Sequence, residues 1–511
     1  MTTTVERYRL FELNLDGPAV GNPYVDVSLS ALFMRNDGSD AIRAHGFYRG
    51  DGHYSIRFMP PSEGIWTYET ESDAPELVGV RGCVEVTAAN VENHGPVRLA
   101  ANLGDASNVP ASTRPYAFSY DDGTRYLPFG TTCYAWTNQS DELQERTLAT
   151  LEESPFNKVR MCIFPKHYGF NSTEPEMYPY EGNLEIGFDR SRFNEAFWVN
   201  LDRRIEQLDA LGIEADIILL HPYDKPEWGF STMTPTEDAL YLAYVAKRYA
   251  GYKNVWWSLA NEYDLMPQKT TDDWNRYARI VMAHDPFDHL RSIHNCHGWF
   301  DYGRSWITHV SWQRVDLYRT AECVTELREQ YEKPVVVDEC CYEGNANRCW
   351  GSLTAEEMTR RYWEGCLRGG YLTHGETYVD RGPFIWWAHG GRLYGDSPSR
   401  IAFCQALMES LPPDMAPMKD AARMLTGALT SDVTAMADGG GGGSNLMLAY
   451  LGMYRPAFRD FDLPEGQTYS IEVIDTWGMT RRRLEGVFKG TVRVELPSLP
   501  YQMVMFAAVE R

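Results

Sequence analysis

Two apolar runs in this 511-residue sequence end on acids. The first, "NVWWSLANEYDL" at 254–265, stays apolar through Ala260 and then presents Asn261 and Glu262. The second, "KPVVVDECCYEGN" at 333–345, runs on valines before Asp338 and Glu339. A buried strand normally continues apolar or closes on turn residues, so a carboxylate at its end marks a point where the chain meets water or a ligand. Two carboxyl groups flanking one bond can divide the work. One protonates a leaving oxygen while the other attacks, or activates water, from the opposite side. Either glutamate alone reads more readily as a solvated strand end or a salt-bridge partner; the pair carries the chemistry. Strand alternation puts Glu339 on the face of Val335 and Val337, expected to be the interior, and Asp338 on the other face. Glu339 is therefore preferred as the attacking group.

Other residues gather around this pair. Arg160 interrupts the apolar run "FNKVRMCIFPKH" at 156–167, and a buried guanidinium is costly without a carboxylate. Placed beside Glu339 it would hold that group ionised; a salt bridge in an outer helix layer is the alternative. His221 of "HPYD", His167 shortly after Arg160, and His294 at another strand end are candidate hydroxyl binders or satisfied structural histidines. "HNCH" at 294–297 could suggest a metal site, but no matching ligand cluster is evident in the sequence, and no metal is expected. Trp136 and Trp312 could stack on a ring or pack internally. In "THGETYVDRGPFIWWAHGG", Glu376 and Tyr378 are assigned to substrate binding, and Trp386 with Trp387 to a stacking platform.

These residues need elements to position them. Between about 110 and 410, β-type runs alternate with amphipathic helices. The strands are expected at 126–132, 157–164, 213–220, 254–260, 290–295, 307–313, 334–339 and 370–376. In "WVNLDRRIEQLDALG", Trp198, Leu201, Ile205, Leu208 and Leu211 recur at helical spacing and Gly212 ends the helix. Eight strands in such an alternation predict a (β/α)8 TIM barrel, whose strand C-termini build the active site. Glu262 and Glu339 then end the fourth and seventh strands. A doubly wound open sheet is the rival, but no Gly-rich dinucleotide fingerprint follows the first strand. Residues 1–95 and 415–511 show period-2 runs among Gly, Pro, Asn and Asp, and are expected to form immunoglobulin-like and C-terminal β-sandwich domains. Five glycines at 439–443 read as a flexible hairpin loop.

Composition narrows the function. A net charge of −23 argues against a nucleic-acid partner. No window approaches the apolar length of a membrane helix, and the N-terminus shows no secretory pattern. Ten cysteines without framework spacing read as reduced thiols, so the cytoplasm is expected. No GxSxG elbow, P-loop or HExxH is present, which removes support for serine hydrolase, nucleotide hydrolase and zinc protease readings.

"VRMCIF", "WWSLANEYD" and "PVVVDE" resemble clan A glycoside hydrolases, the retaining barrels of cellulase and mannanase type. The resemblance implies Glu262 as acid/base, Asn261 as a binder of the sugar 2-hydroxyl, Glu339 as nucleophile and Arg160 as its support. That clan usually places one Trp soon after the eighth strand. Here Trp386 and Trp387 come about ten residues later, and Glu376 is an additional carboxylate. A closer resemblance, carried by "FNKVRMCIFPKHYGFNSTEPEMYP", "IEADIILLHPYD", "NVWWSLANEYDLM", "HLRSIHN" and "RFMPPSEGIWTYET", is to bacterial proteins with an apiosidase-like barrel between β-sandwich modules. The expected function is retaining hydrolysis of an oligosaccharide or glycoside, without cofactor. It would be exo-acting on short chains, with a homo-oligomeric state left open. A non-catalytic carbohydrate-binding barrel is the alternative, and a metal-dependent barrel hydrolase a third reading.

Overall fold

The structure is a computed structural model describing residues 3–313, 319–418, 433–439 and 444–509. Its centre is a ring of eight parallel strands: Phe129–Thr132, Lys158–Cys162, Glu214–Leu220, Val255–Ala260, Arg291–Ser292, Val310–Gln313, Val335–Glu339 and Tyr371–His374. Each hydrogen-bonds to its sequence neighbour, and the eighth returns to the first. Between the short fifth strand and the sixth, the ring closes through a parallel bridge from His294 to Ser311. Among the described residues, helices follow every strand except the fifth, where 293–309 is an irregular loop.

Local chemistry accounts for the helices. Thr234 caps Pro235–Tyr249 and Thr270 caps Thr271–His284, each in a reciprocal capping box with an acid three residues on. The helix Glu195–Ala210 buries Trp198, Leu201, Ile205 and Leu208 on one stripe. Gly212, at φ +70°, supplies the left-handed turn that ends it.

The lumen is layered. At the bottom, Phe118 plugs the ring from a strip formed by Val97–Leu99, Phe118–Tyr120 and Arg125–Tyr126, packing on Trp256, Val336 and Tyr371. Above it lies a charged layer. Lys158 Nζ reaches Asp216 at 2.7 Å and Asp338 at 2.9 Å, and Asp338 also accepts from Ser311 at 2.5 Å and Thr373 at 3.1 Å. These partners come from five strands, so Asp338 faces the interior, while Val335 and Val337 join the cluster that packs the helices. The faces are the reverse of those expected. Val336 and Asp338 share the interior face by ordinary alternation, and the register then shifts: Trp312 pairs with Val337 and Gln313 with Glu339. This bulge re-aims Glu339 toward the mouth, so successive acids both serve the interior.

β-rich regions flank the barrel. On the N-terminal side, seven strands run in the order Thr3–Glu6, Arg81–Thr87, Gly64–Ser72, Leu29–Arg35, Ala41–Gly50, His53–Phe58, Phe11–Asp16. They curl over Phe33, Ile56, Phe58 and Trp66. Arg57 joins this region to the barrel helices by pairing with Asp202 at 2.7 Å and with the Arg248 carbonyl at 2.8 Å. On the C-terminal side, Thr434–Asp438, Leu446–Tyr450, Gln502–Ala508 and Tyr469–Asp475 pair antiparallel around Ile471, Val504 and Phe506. Thr434–Asp438 and Leu446–Tyr450 flank the glycine run, of which 440–443 lies outside the described residues. Among the described residues no helix is long and apolar enough to cross a membrane.

Candidate active site

Glu262 and Glu339 line one cavity of about 430 Å³ at the C-terminal end of the strands. Tyr168, Phe170, Tyr342, Trp350 and Trp387 form much of its wall, with Lys166, Tyr223, Cys296 and Gln313 among the polar lining. Glu262 sits in the left-handed backbone region at φ +53°, ψ +54°. A non-glycine residue there stores roughly 1–3 kcal/mol of strain, of the kind found where function fixes a side chain.

Different donors hold the two carboxylates. Tyr223 donates to Glu262 Oε2, Gln313 Nε2 donates to Oε1 at 2.7 Å, and Asn261 Nδ2 lies 3.4 Å from Oε2. Glu339 Oε1 takes the Tyr134 hydroxyl, which also lies 3.3 Å from Asn261 Oδ1. Burial and the adjacent carboxylate push both phenols up, so they remain protonated donors. Burial, reinforced by the charge of Glu262, raises Glu339 to about 7, with Lys166, Tyr134 and Arg160 pulling the other way.

Arg160 does not bond Glu339. Its guanidinium donates to Ser258 at 3.1 Å, Asn261 Oδ1 at 3.2 Å and Asp216 at 3.3 Å, and lies 3.9 Å from Asp338. With Lys158 it makes two cations against two aspartates, a layer already neutral. The cation left for the catalytic pair is Lys166. The residue is 2% exposed, and burial lowers its amine below the ordinary lysine range. It lies 3.7 Å from the ring centre of Tyr134, 4.3 Å from Tyr223 and 5.0 Å from Tyr168.

The remaining candidates divide. Trp387 is on the cavity wall, at ring distances of 5.1 Å from both Tyr168 and Trp350. Trp386 lies behind it, donating to Thr131 at 2.9 Å. His221 is buried between the Phe164 carbonyl and the Tyr223 amide, each at 3.2 Å, and burial holds it neutral at about 3. It therefore positions the Tyr223 backbone. His167 has its amide on the Tyr223 carbonyl and its ring near Trp228. His294 is fully buried below the cavity, and Cys296 and His297 reach the lining. Trp312 packs against Trp299 and Tyr302, and Trp136 is enclosed in the core. Glu376 is 1% exposed and bonds the amides of Tyr394 and Gly395; Tyr378 bonds Glu343. Neither is on the cavity lining.

Sequence reasoning passed over Tyr134, Lys166, Tyr223 and Gln313. All four lie at or within four residues of a strand's C-terminal end, where a barrel collects its working groups. That position was the available signal.

The family model described as "Apiosidase-like, catalytic domain" matches residues 112–407. Two domains of unknown function, DUF5060 and DUF5605, match residues 4–73 and 436–507. The crystal structure of a candidate glycoside hydrolase from Bacteroides vulgatus ATCC 8482 is 36% identical over 99% of this chain and 100% of its own, with a TM-score of 0.89. A glycoside hydrolase family 5 protein from the same organism, 15% identical over 81% of this chain and 95% of its own with a TM-score of 0.60, shares the fold. No curated protein matches. With its catalytic-domain model spanning more than half the sequence and a relative aligned from end to end, the chain belongs to the apiosidase-like family and is glycoside hydrolase-like.

Proposed function

We propose that the protein is a retaining O-glycoside hydrolase, exo-acting on short oligosaccharides, with Glu339 as nucleophile and Glu262 as acid/base. The observation carrying this reading is that carboxylates from the fourth and seventh strands line one aromatic-walled cavity, each held by its own tyrosine. In the first step a Glu339 oxygen bonds to the anomeric carbon. The glycosidic bond breaks, and its oxygen leaves with the proton of Glu262. In the second, the Glu262 carboxylate takes a proton from water, the resulting hydroxide adds to the anomeric carbon, and the bond to Glu339 breaks. Lys166 supplies the positive charge that favours ionised Glu339, while Asn261, tied to Arg160 and Tyr134, keeps the two acids in register. Trp387 offers a face for the sugar ring.

One observation favours the reverse roles. Three donors converge on Glu262 against one on Glu339, and Glu339 has the raised value that suits a proton donor. The covalent partner of the sugar distinguishes the two assignments.

The first experiment is a panel of nitrophenyl pyranosides and furanosides, including apiosides, galactofuranosides and arabinofuranosides. Hydrolysis of at least one, lost by several orders of magnitude in kcat in both Glu262→Ala and Glu339→Ala, is the expected outcome. Sugar binding by calorimetry without turnover of any member would instead make this a carbohydrate-binding barrel.

A further inference from the structure

Behind the cavity wall, Glu343, His374 and Glu376 form a buried cluster outside the machinery described above. Each offers one ligand atom, and these atoms all lie within 4.8 Å of one another. Glu343 and His374 are 0% exposed and Glu376 1%. Neither glutamate has a lysine or arginine partner among the described residues; His374 Nε2 lies 3.9 Å from Glu376 Oε1. Two buried carboxylates without a cation require either a retained proton or an external positive charge.

The histidine decides between these. His374 Nε2 is buried without a hydrogen-bond partner and lies against the carboxylates. A proton kept on Glu376 would leave that nitrogen unsatisfied, because 3.9 Å is too long for a hydrogen bond. A metal ion satisfies both demands. Supporting contacts of the sort that orient ligands are present. Thr131 Oγ1 lies 3.2 Å from His374 Nδ1, leaving Nε2 as the free lone pair if Nδ1 carries the proton. The Tyr394 and Gly395 amides fix Glu376 at 2.8 and 2.9 Å. Glu343 accepts from Tyr378, from the amides of Asp396 and Ser397 and from the Ser397 hydroxyl. With its lone pairs so engaged it is the weakest of the three ligands, and binding requires the Ser397 hydroxyl to turn away.

We propose that Glu343, His374 and Glu376 form a structural binding site for a divalent metal of the imidazole-and-carboxylate class, zinc or manganese. Such an ion would tie the end of the eighth strand to the short strand Glu343–Gly344 and the loop at 394–396. Tyr342, the residue before Glu343, stands on the cavity wall, so the ion would stiffen one side of the cavity without entering it. The proposal does not depend on the glycosidase reading.

The test uses the full chain. Metal content is measured by plasma mass spectrometry as purified and after EDTA treatment, and the melting temperature is followed as Zn2+ or Mn2+ is restored, with Mg2+ and Ca2+ as comparators. One equivalent of zinc or manganese per chain, with a melting temperature several degrees higher than the stripped protein, is expected. Cobalt(II) added to the stripped protein should give visible bands that are absent in His374→Gln, with folding of the variant checked by circular dichroism. Less than stoichiometric metal and no thermal response to millimolar Zn2+ or Mn2+ would overturn the proposal. So would binding that persists unchanged in both His374→Gln and Glu376→Gln.

Discussion

Tyr134 holds Glu339 by a hydrogen bond, and the same phenol, 3.3 Å from Asn261 Oδ1, connects that acid to the residue preceding Glu262. A residue just past the first strand thus links the ends of the fourth and seventh. Tyr134→Phe removes the donor while keeping the ring against Lys166. A hydrogen bond to a charged group contributes ~1.5–3 kcal/mol, so kcat is expected to fall roughly 10- to 100-fold on the responsive glycoside. Thermal stability should stay within a few degrees of the parent. Unchanged kcat would show that the phenol does not orient the nucleophile.

The pH dependence has a definite sign. Glu339 is raised to about 7, so as nucleophile it becomes competent as pH rises through that value. The free-enzyme profile of kcat/KM should climb through about 7 from the acid side. If Glu339 were the acid, activity would instead fall through the same range. Lys166 favours the ionised form, so Lys166→Met moves the acid limb to higher pH, by roughly one unit, and Lys166→Arg moves it less. A limb that stays in place in Lys166→Met would mean another group sets the charge.

The reversal of faces at the seventh strand shows what the sequence could and could not say. The barrel and the two strand-ending glutamates were legible, because apolar runs punctuated by acids survive any local irregularity. The inward turn of Glu339 beside Asp338 was not legible, because one extra residue opposite Gln313 leaves no mark in composition. Arg160 was recognised as a buried cation needing acids, but its acids are Asp216 and Asp338. Asp216 lies within an all-buried strand where only the lysine and arginine facing it explain its presence. Tyr134 and Tyr223 were lost among 31 tyrosines, most of which a reader must assign to packing.

The charged layer beneath the site is expected to carry stability. Asp338→Ala leaves Lys158 and Arg160 facing Asp216 alone. Unpairing a buried cation typically costs ~3–5 kcal/mol, which urea unfolding at neutral pH would register. Its neighbours hold the Asp338 carboxyl well below the usual aspartate range. The contribution is therefore complete above the ordinary aspartate value and fades as pH falls below it. A loss under 1 kcal/mol would show the layer to be replaceable.

Trp387 touches Tyr134, Tyr168, Phe170, Tyr342 and Trp350 and lines the cavity. Trp387→Ala should raise KM about tenfold, the loss of one stacking face, with a smaller change in kcat. An equal fall in kcat at constant KM would place its role at the transition state instead.

Trapping the covalent intermediate bears most directly on the paired carboxylates. A 2-deoxy-2-fluoro glycoside of the sugar identified by the panel, followed by peptide mass analysis, should give one adduct on the peptide that contains Glu339 and fragment to that residue. An adduct on Glu262 or Asp338, or steady turnover with products of inverted configuration and no adduct, would contradict it.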